Sequence, residues 1–196
     1  TASELGGVWY LINAIEGAKA EDAIATPDLD GVARPWAVLE TVARALLSDA
    51  DPGGDGPDSQ STSSAPVHPE DPLWRLLAKL DGRDPGASAR EAVPELAAWG
   101  QNAIPRLRSR VEAALDEDSE APDGPEAESG RGADGGETSS IAELLITSAR
   151  IYHTRTHVDV VIPLEAARLS VRRAGLDRDP GWLPAYGRVI QLYFRA

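Results

Sequence analysis

The stretch IYHTRTHVDVVIP, residues 151–163, decides the fold class because its apolar and polar residues alternate. The polar positions are His153, Arg155, His157 and Asp159, and the apolar ones are Tyr152, Val158, Val160 and Ile162. A period of two is typical of a half-buried strand, or of a hairpin that bends near residues 154–156.

The polar residues of this stretch raise the question of a metal or catalytic site. In an extended strand, residues four apart lie roughly 13 Å apart, so His153 and His157 can share a metal only if the chain bends between them. His157 and Asp159 can meet by side-chain reach, as an ion pair or as half of an acid/base pair. We interpret the stretch first as a polar sheet face. A binding surface that uses Arg155 and His157, and a catalytic or metal site, remain open alternatives.

The residues that follow predict a helix, a turn and a second strand. PLEAARLSVRRAG, 163–175, begins at a proline and ends at Gly175, a suitable left-handed cap. LDRDPGWLPAYG, 176–187, has turn chemistry throughout, and its Asp177 and Asp179 fit turn hydrogen bonds better than a cation site. RVIQLYF, 188–194, alternates again. The C-terminal part is therefore predicted to form a small β-α-β or hairpin-helix-strand sheet.

Helical spacing dominates the first two-thirds of the chain. Four segments show it: SELGGVWYLINAI (3–15, capped by Ser3), RPWAVLETVARALLS (34–48), EDPLWRLLAKLDG (70–82) and residues 94–115. In the third of these, Asp71 is the expected cap, Pro72 lies in the first turn and Gly82 ends the helix. Pro105 must kink the fourth segment or begin a new helix. The predicted fold class is thus α+β.

Two acidic stretches separate the segments that can bury a core. Residues 49–66 carry −4 and residues 116–138 carry −8 of the total net charge of −13, and both are rich in Gly, Pro and Ser. Such composition predicts disordered linkers. The expected organisation is a helical pair at 1–48, a helical segment at 67–115 and an α/β segment at 139–196, which together form one domain.

Composition excludes several function classes. The chain has no cysteine, which rules out thiol catalysis, thiolate metal sites and disulfides. No apolar run is long enough to span a bilayer, so we expect no membrane insertion. We expect a cytoplasmic protein without a cofactor, and the interpretation leaves self-association open.

Nucleic-acid binding is disfavoured by the sequence. Arg168, Arg172 and Arg173 lie on or near one face of the predicted helix and could contact phosphate. However, Lys19 and Lys79 are the only lysines, and no RNA-binding signature is present. A solvated or partner-facing helix side is the preferred interpretation.

Three stretches carry a resemblance to a known group of proteins. They are ELGGVWYLIN near the start, EDPLWRLLAKLDGR in the middle, and HTRTHVDVVIPLEAARLSVRRAGLDRDPGWLPAYGRVIQLYF. The chain resembles a family of uncharacterised bacterial proteins encoded in gene clusters of phage-tail-like extracellular contractile injection systems. AGLDRDPGWLPAYGR, 174–188, is the most specific part. The resemblance implies a component or assembly factor of a large protein machine, and it transfers no catalytic residue.

The sequence therefore predicts a non-enzymatic structural or accessory protein that contacts other proteins of a large assembly. Its predicted contact residues are Trp182, Tyr186, Arg188, Arg172 and Arg178. The alternative is a metal-assisted hydrolase that uses the strand face of His153, His157 and Asp159, which requires a third convergent ligand and an open coordination position.

Overall fold

The computed structural model describes residues 1–21, 24, 34–48, 68–116 and 141–196. Seven helices lie in this part of the chain: α1 Tyr10–Ala20, α2 Pro35–Ser48, α3 Pro72–Leu80, α4 Ala89–Ala92, α5 Glu95–Asp116, α6 Ile141–Leu145 and α7 Leu169–Arg173. Five strands accompany them: β1 Ala2–Ser3, β2 Ala149–His153, β3 His157–Pro163, β4 Gly181–Leu183 and β5 Arg188–Arg195. The α+β prediction is confirmed. The predicted acidic linkers lie outside the described residues, except for Asp116, which ends α5.

The five strands form one mixed sheet in the order β1-β2-β3-β5-β4. β2 and β3 are an antiparallel hairpin, as the alternation in IYHTRTHVDVVIP allowed. β5 runs parallel to β3, and the chain reaches it through α7 and β4. Since β4 is antiparallel to β5, the predicted hairpin-helix-strand order gains one short edge strand, and β1 adds another at the opposite edge.

The two faces of the sheet have different environments. One face, here called the core face, carries the buried side chains Ala149, Ile151, Val158, Val160, Ile162, Ile190 and Leu192. The other, here called the open face, carries exposed or half-buried side chains: Arg150, Tyr152, His157, Asp159, Val161, Trp182, Val189, Gln191, Tyr193 and Arg195. The described helices therefore pack on one side of the sheet only.

An aromatic cluster joins the helical part to the C-terminal part. The indole of Trp36 in α2 meets the ring of Trp9 edge-on with centroids 6.1 Å apart. It meets the ring of Tyr186, just before β5, at 4.8 Å. All three rings are at most 4% exposed. Edge-to-face pairs add to the stabilisation from area burial alone, so these rings fasten the helices to the sheet segment.

A buried ion network connects α2 with the loop after α3. Glu40 in α2 is 1% exposed, and its carboxylate accepts a hydrogen bond from Arg83 Nη2 at 2.6 Å. Arg83 Nε donates to Asp81 at 2.7 Å, and Arg44 Nε donates to Glu40 at 2.9 Å. Buried charges are tolerated only when they are paired and hydrogen-bonded, and this cluster satisfies both conditions.

Asp71 is the predicted cap of α3, and its role extends further. Its carboxylate accepts from the Leu73 N–H at 2.7 Å, which confirms the cap. The same group accepts from the Ser3 hydroxyl at 2.7 Å and from the Glu4 N–H at 2.9 Å, and so ties α3 to β1. The prediction that Ser3 caps the first helix is wrong, because Ser3 lies in β1 and α1 begins at Tyr10 after a 3₁₀ turn.

Two other local predictions differ from the structure, and one of the two alternatives predicted at Pro105 is excluded. The helix predicted over 163–175 is split into a 3₁₀ turn at Leu164–Ala166 and the five-residue α7, because Leu164 and Leu169 are 51% and 60% exposed and give it no buried stripe. Residues 181–183, predicted as turn, form β4. α5 continues through Pro105, so a new helix does not begin there.

Candidate protein-binding surface

The β2–β3 hairpin places His153 and His157 on opposite faces of the sheet. His153 is paired directly with Val158, which is fully buried, and directly paired residues share a face. His153 therefore lies half-buried on the core face, whereas His157 is exposed on the open face. The prediction of one polar face shared by His153, His157 and Asp159 is wrong, because the turn at 154–156 reverses the chain and interrupts the alternation.

The surroundings of the two histidines also differ. Burial lowers the pKa of His153 below its ordinary value, and the positive charges of Lys79 and Arg188 lower it further. Nδ1 of His157 lies 2.8 Å from the Thr156 hydroxyl. The described residues contain no group of three or more His, Cys, Asp or Glu side chains that could hold a metal ion. The ligand set that the hydrolase hypothesis requires is thus not assembled around the hairpin.

Trp182 is the most exposed aromatic side chain of the described residues. It lies on β4, paired with Val189 of β5, and is 57% exposed on the open face. Gly181, with φ of +69°, begins this strand, and Gly187, with φ of +62°, completes the turn into β5. The N–H groups of Tyr186 and Gly187 both donate to the Leu183 carbonyl, at 3.1 and 3.0 Å. Backbone hydrogen bonds therefore fix the hairpin that carries the indole.

Tyr186 does not lie on this surface. It is 4% exposed and packs against Trp36, so its predicted role as an exposed contact does not hold in this chain. Its hydroxyl is buried and has no hydrogen-bond partner, and burial raises its pKa well above the ordinary value. The turn chemistry around Tyr186 predicts a loop but not the direction of its ring, which packs against Trp36 in the core.

The predicted arginine contacts lie on the segments that flank β4. Arg188 begins β5, and its guanidinium donates to the Thr154 carbonyl of the β2–β3 turn. Arg172 of α7 is paired with Asp177 at 3.1 Å and lies 5.9 Å from the ring of Phe194. Arg178 is exposed beside Gly175. Arg188 is paired with Leu183, so it points to the core-face side of the β4–β5 hairpin, opposite to Trp182, and Arg172 contacts Phe194 on that same side.

The loop that carries Arg178 is anchored at both ends. Asn13 Nδ2 donates to the carbonyls of Leu176 and Arg178, at 2.9 and 2.7 Å. Asp179 accepts from the Leu192 N–H at 2.7 Å. The acids of this loop hold the backbone and Arg172, as the turn interpretation predicted.

The helix with three arginines offers little free charge for phosphate. α7 has only five residues, and Arg168 just before it lies 3.8 Å from the Glu143 carboxylate. Arg172 is paired with Asp177. The structure therefore adds no support for the nucleic-acid alternative.

A second region of the open face was not identified from the sequence. A depression of about 390 Å³ lies over β2, β3 and β5. Its lining residues are Arg150, Tyr152, Asp159, Val161, Tyr193 and Arg195. The alternation of β2 and β5 was readable, but which residues share a face depends on the pairing of strands that are distant in sequence.

No protein-family model, curated protein or solved structure matches this chain. No helix of the described residues has the length and apolar character needed to cross a membrane.

Proposed function

We propose that this protein is a non-enzymatic structural or assembly component of a phage-tail-like contractile injection system, and that it acts in the cytoplasm through contacts with other proteins of the machine. The observation that carries the proposal is the open face of the sheet, on which Trp182 in the middle of β4 is exposed on a hydrogen-bonded hairpin. The assignment to this machine is supported by the resemblance of the sequence segments, above all 174–188.

The hairpin has the properties of an interface anchor. Tryptophan and arginine are enriched among the residues that dominate binding energy at protein interfaces. A side chain that is already held in place loses less conformational entropy on binding than a mobile one. The backbone of Trp182 is fixed by the β4–β5 pairing, which lowers the entropy cost of presenting its indole. Burial of the exposed indole by a partner would supply apolar contact.

A catalytic function has less support from the geometry. The hydrolase hypothesis needs His153 and His157 on one surface, and the hairpin separates them. His157 and Asp159 do share the open face, but the described residues contain no group of three or more His, Cys, Asp or Glu side chains that could hold a metal ion. Binding is thus the function that the arrangement supports best.

The test is an affinity pull-down of the tagged full chain from its native cells, with mass spectrometry of the captured proteins. We expect tail tube, sheath, baseplate or cap proteins to be recovered with the wild-type chain and lost with Trp182→Ala. Leu164→Ala, which removes a side chain of similar exposure away from the hairpin, should retain them. Both variants should unfold at the wild-type temperature, because exposed side chains contribute little to folding stability. Recovery of the same machine proteins by Trp182→Ala, or of none by the wild type, contradicts the proposal.

A further inference from the structure

Four side chains on the β2–β3 hairpin form a small rectangle on the open face. Arg150 is paired with Val161, and Tyr152 is paired with Asp159. One diagonal of the rectangle thus joins two opposite charges, Arg150 and Asp159, and the other joins two residues with apolar surface, Tyr152 and Val161. Diagonal neighbours on an antiparallel pair lie about 7 to 8 Å apart, within reach of long side chains.

The two charges of this rectangle have no partner within the described residues. Neither the Arg150 guanidinium nor the Asp159 carboxylate makes a hydrogen bond or an ion pair there. Tyr152 beside them is 55% exposed. The hairpin therefore presents a positive group, a negative group and an aromatic ring together, none of which the chain uses internally.

This pattern is complementary to itself. In a two-fold interface, residue i of one copy contacts residue j of the other, and j contacts i. If two open faces meet about an axis that bisects the Arg150–Asp159 diagonal, each arginine lies over the aspartate of the other copy. Tyr152 and Val161 then lie close to the axis and contact their own counterparts. Packed sheets stand about 10 Å apart, a gap that these side chains can fill.

We propose that the open face at β2 and β3 binds a second copy of this chain through two reciprocal Arg150–Asp159 pairs around a Tyr152 and Val161 centre. This inference goes beyond the proposed function, because it uses the β2–β3 part of the face and leaves the Trp182 hairpin for other proteins.

One further cation of the face, Arg195, enters the contact. It lies two strands away from β2, lines the same depression as Arg150 and Asp159, and its guanidinium is 5.7 Å from the ring of Tyr193. The proposed axis runs from Tyr152 through Val161 towards Arg195. The two copies of Arg195 therefore approach each other, and their repulsion weakens the contact that the two Arg150–Asp159 pairs make. A polyanion such as RNA fits less well, because the carboxylate of Asp159 lies in the middle of the surface that phosphates would occupy.

The test is a charge swap read by sedimentation velocity on the full chain. Asp159→Arg gives a face with two positive groups, and Arg150→Asp gives a face with two negative groups. Each variant alone should be monomeric, with self-association weakened by about thirtyfold or more, because like charges then face each other. An equimolar mixture of the two should recover a dimer, since each charge again meets its opposite. The chain that carries both substitutions should dimerise as the wild type does.

Several results would overturn the inference. A wild-type chain that stays monomeric up to high micromolar concentration overturns the inference, as does a mixture of the two folded variants that fails to associate. Dimerisation of both single variants at wild-type strength also overturns it, because the contact would then lie elsewhere. Thermal melts of each variant show that it is folded. Addition of a short single-stranded RNA to the wild type reports the alternative ligand, and tight, salt-sensitive binding that displaces the dimer would reassign the face.

The outcome is independent of the pull-down result. A monomeric chain that still captures machine proteins through Trp182 removes the second copy and keeps the proposed function. A dimeric chain that captures none of them keeps the second copy and removes the proposed function.

Discussion

The ion network at Glu40 and the charge pair at Arg150 and Asp159 use the same chemistry in opposite environments. Glu40 and Arg83 are buried between helices, and their hydrogen bonds run to Arg44, Asp81 and each other. Arg150 and Asp159 lie on an open sheet face and have no partner in the described residues. Charges of the first kind hold the fold together, whereas charges of the second kind are available to another molecule. The comparison shows that burial and pairing, rather than residue type, separate charges that hold the fold together from charges that the described residues leave without a partner.

The largest expected effect comes from a substitution in the buried ion network. Glu40→Ala leaves the Arg83 guanidinium buried with one partner fewer, and loss of one member of a buried pair costs about 3 to 5 kcal/mol. Urea unfolding followed by circular dichroism should show this loss in the free energy of unfolding. Arg75→Ala, which removes an exposed arginine from α3, is the matched control and should change it by less than about 0.5 kcal/mol. Equal stability of the two variants would mean that the network contributes nothing.

A smaller effect concerns a polar group that is buried yet unpaired. Tyr186→Phe removes a hydroxyl without a partner and keeps the ring against Trp36. Because an unsatisfied buried polar group costs free energy, we expect the free energy of unfolding to stay unchanged or to rise by about 1 kcal/mol. Tyr152→Phe, on the open face, should leave it unchanged. A marked loss of stability in Tyr186→Phe would reveal a partner for the hydroxyl.

The smallest effect is a pH dependence from His153. Burial and the neighbouring charges of Lys79 and Arg188 lower its pKa in the folded chain, so the unfolded chain binds the proton more readily. The part of the free energy of unfolding that depends on neutral His153 is fully present above the ordinary histidine pKa of about 6.5. It is lost as the pH falls through the lowered pKa of His153 in the folded chain. Unfolding free energies measured between pH 7.5 and 5 should therefore fall less in His153→Gln than in the wild type. His157→Gln is the control, and its free energy of unfolding should fall as that of the wild type does. A larger fall in His153→Gln than in the wild type would place His153 in a different environment.

Local sequence signals predicted those parts of the fold that depend on a few adjacent residues. Asp71 and Pro72 mark the start of α3 because capping and the proline backbone act within one turn. Gly175 has the positive φ predicted for a left-handed cap, for the same reason. The strand period of 151–163 and 188–194 was also readable.

Pairing between distant residues was not readable. Glu40 contacts Arg83 across 43 positions, and the sequence around either residue does not predict contact with the other. The faces of β2 depend on register across a turn, so His153 was assigned to the wrong side and the rectangle around Arg150 was missed. Both Trp182 and Tyr186 were predicted as protein contacts, but Trp182 is exposed and Tyr186 is buried, because only tertiary packing distinguishes the two rings.

The pairing of β1 with β2 has a consequence for synthesis of the chain. Ala2 is paired with Arg150, so this sheet edge cannot close until synthesis has passed residue 150 of the 196. At 5 to 20 residues per second, the interval between these two residues is roughly 7 to 30 s. During that time Leu5, Val8 and Trp9, which are fully buried in the folded chain, have no sheet to pack against. The contact of Trp9 with Trp36 of α2 is available early in this interval, whereas these apolar side chains complete their burial late in synthesis.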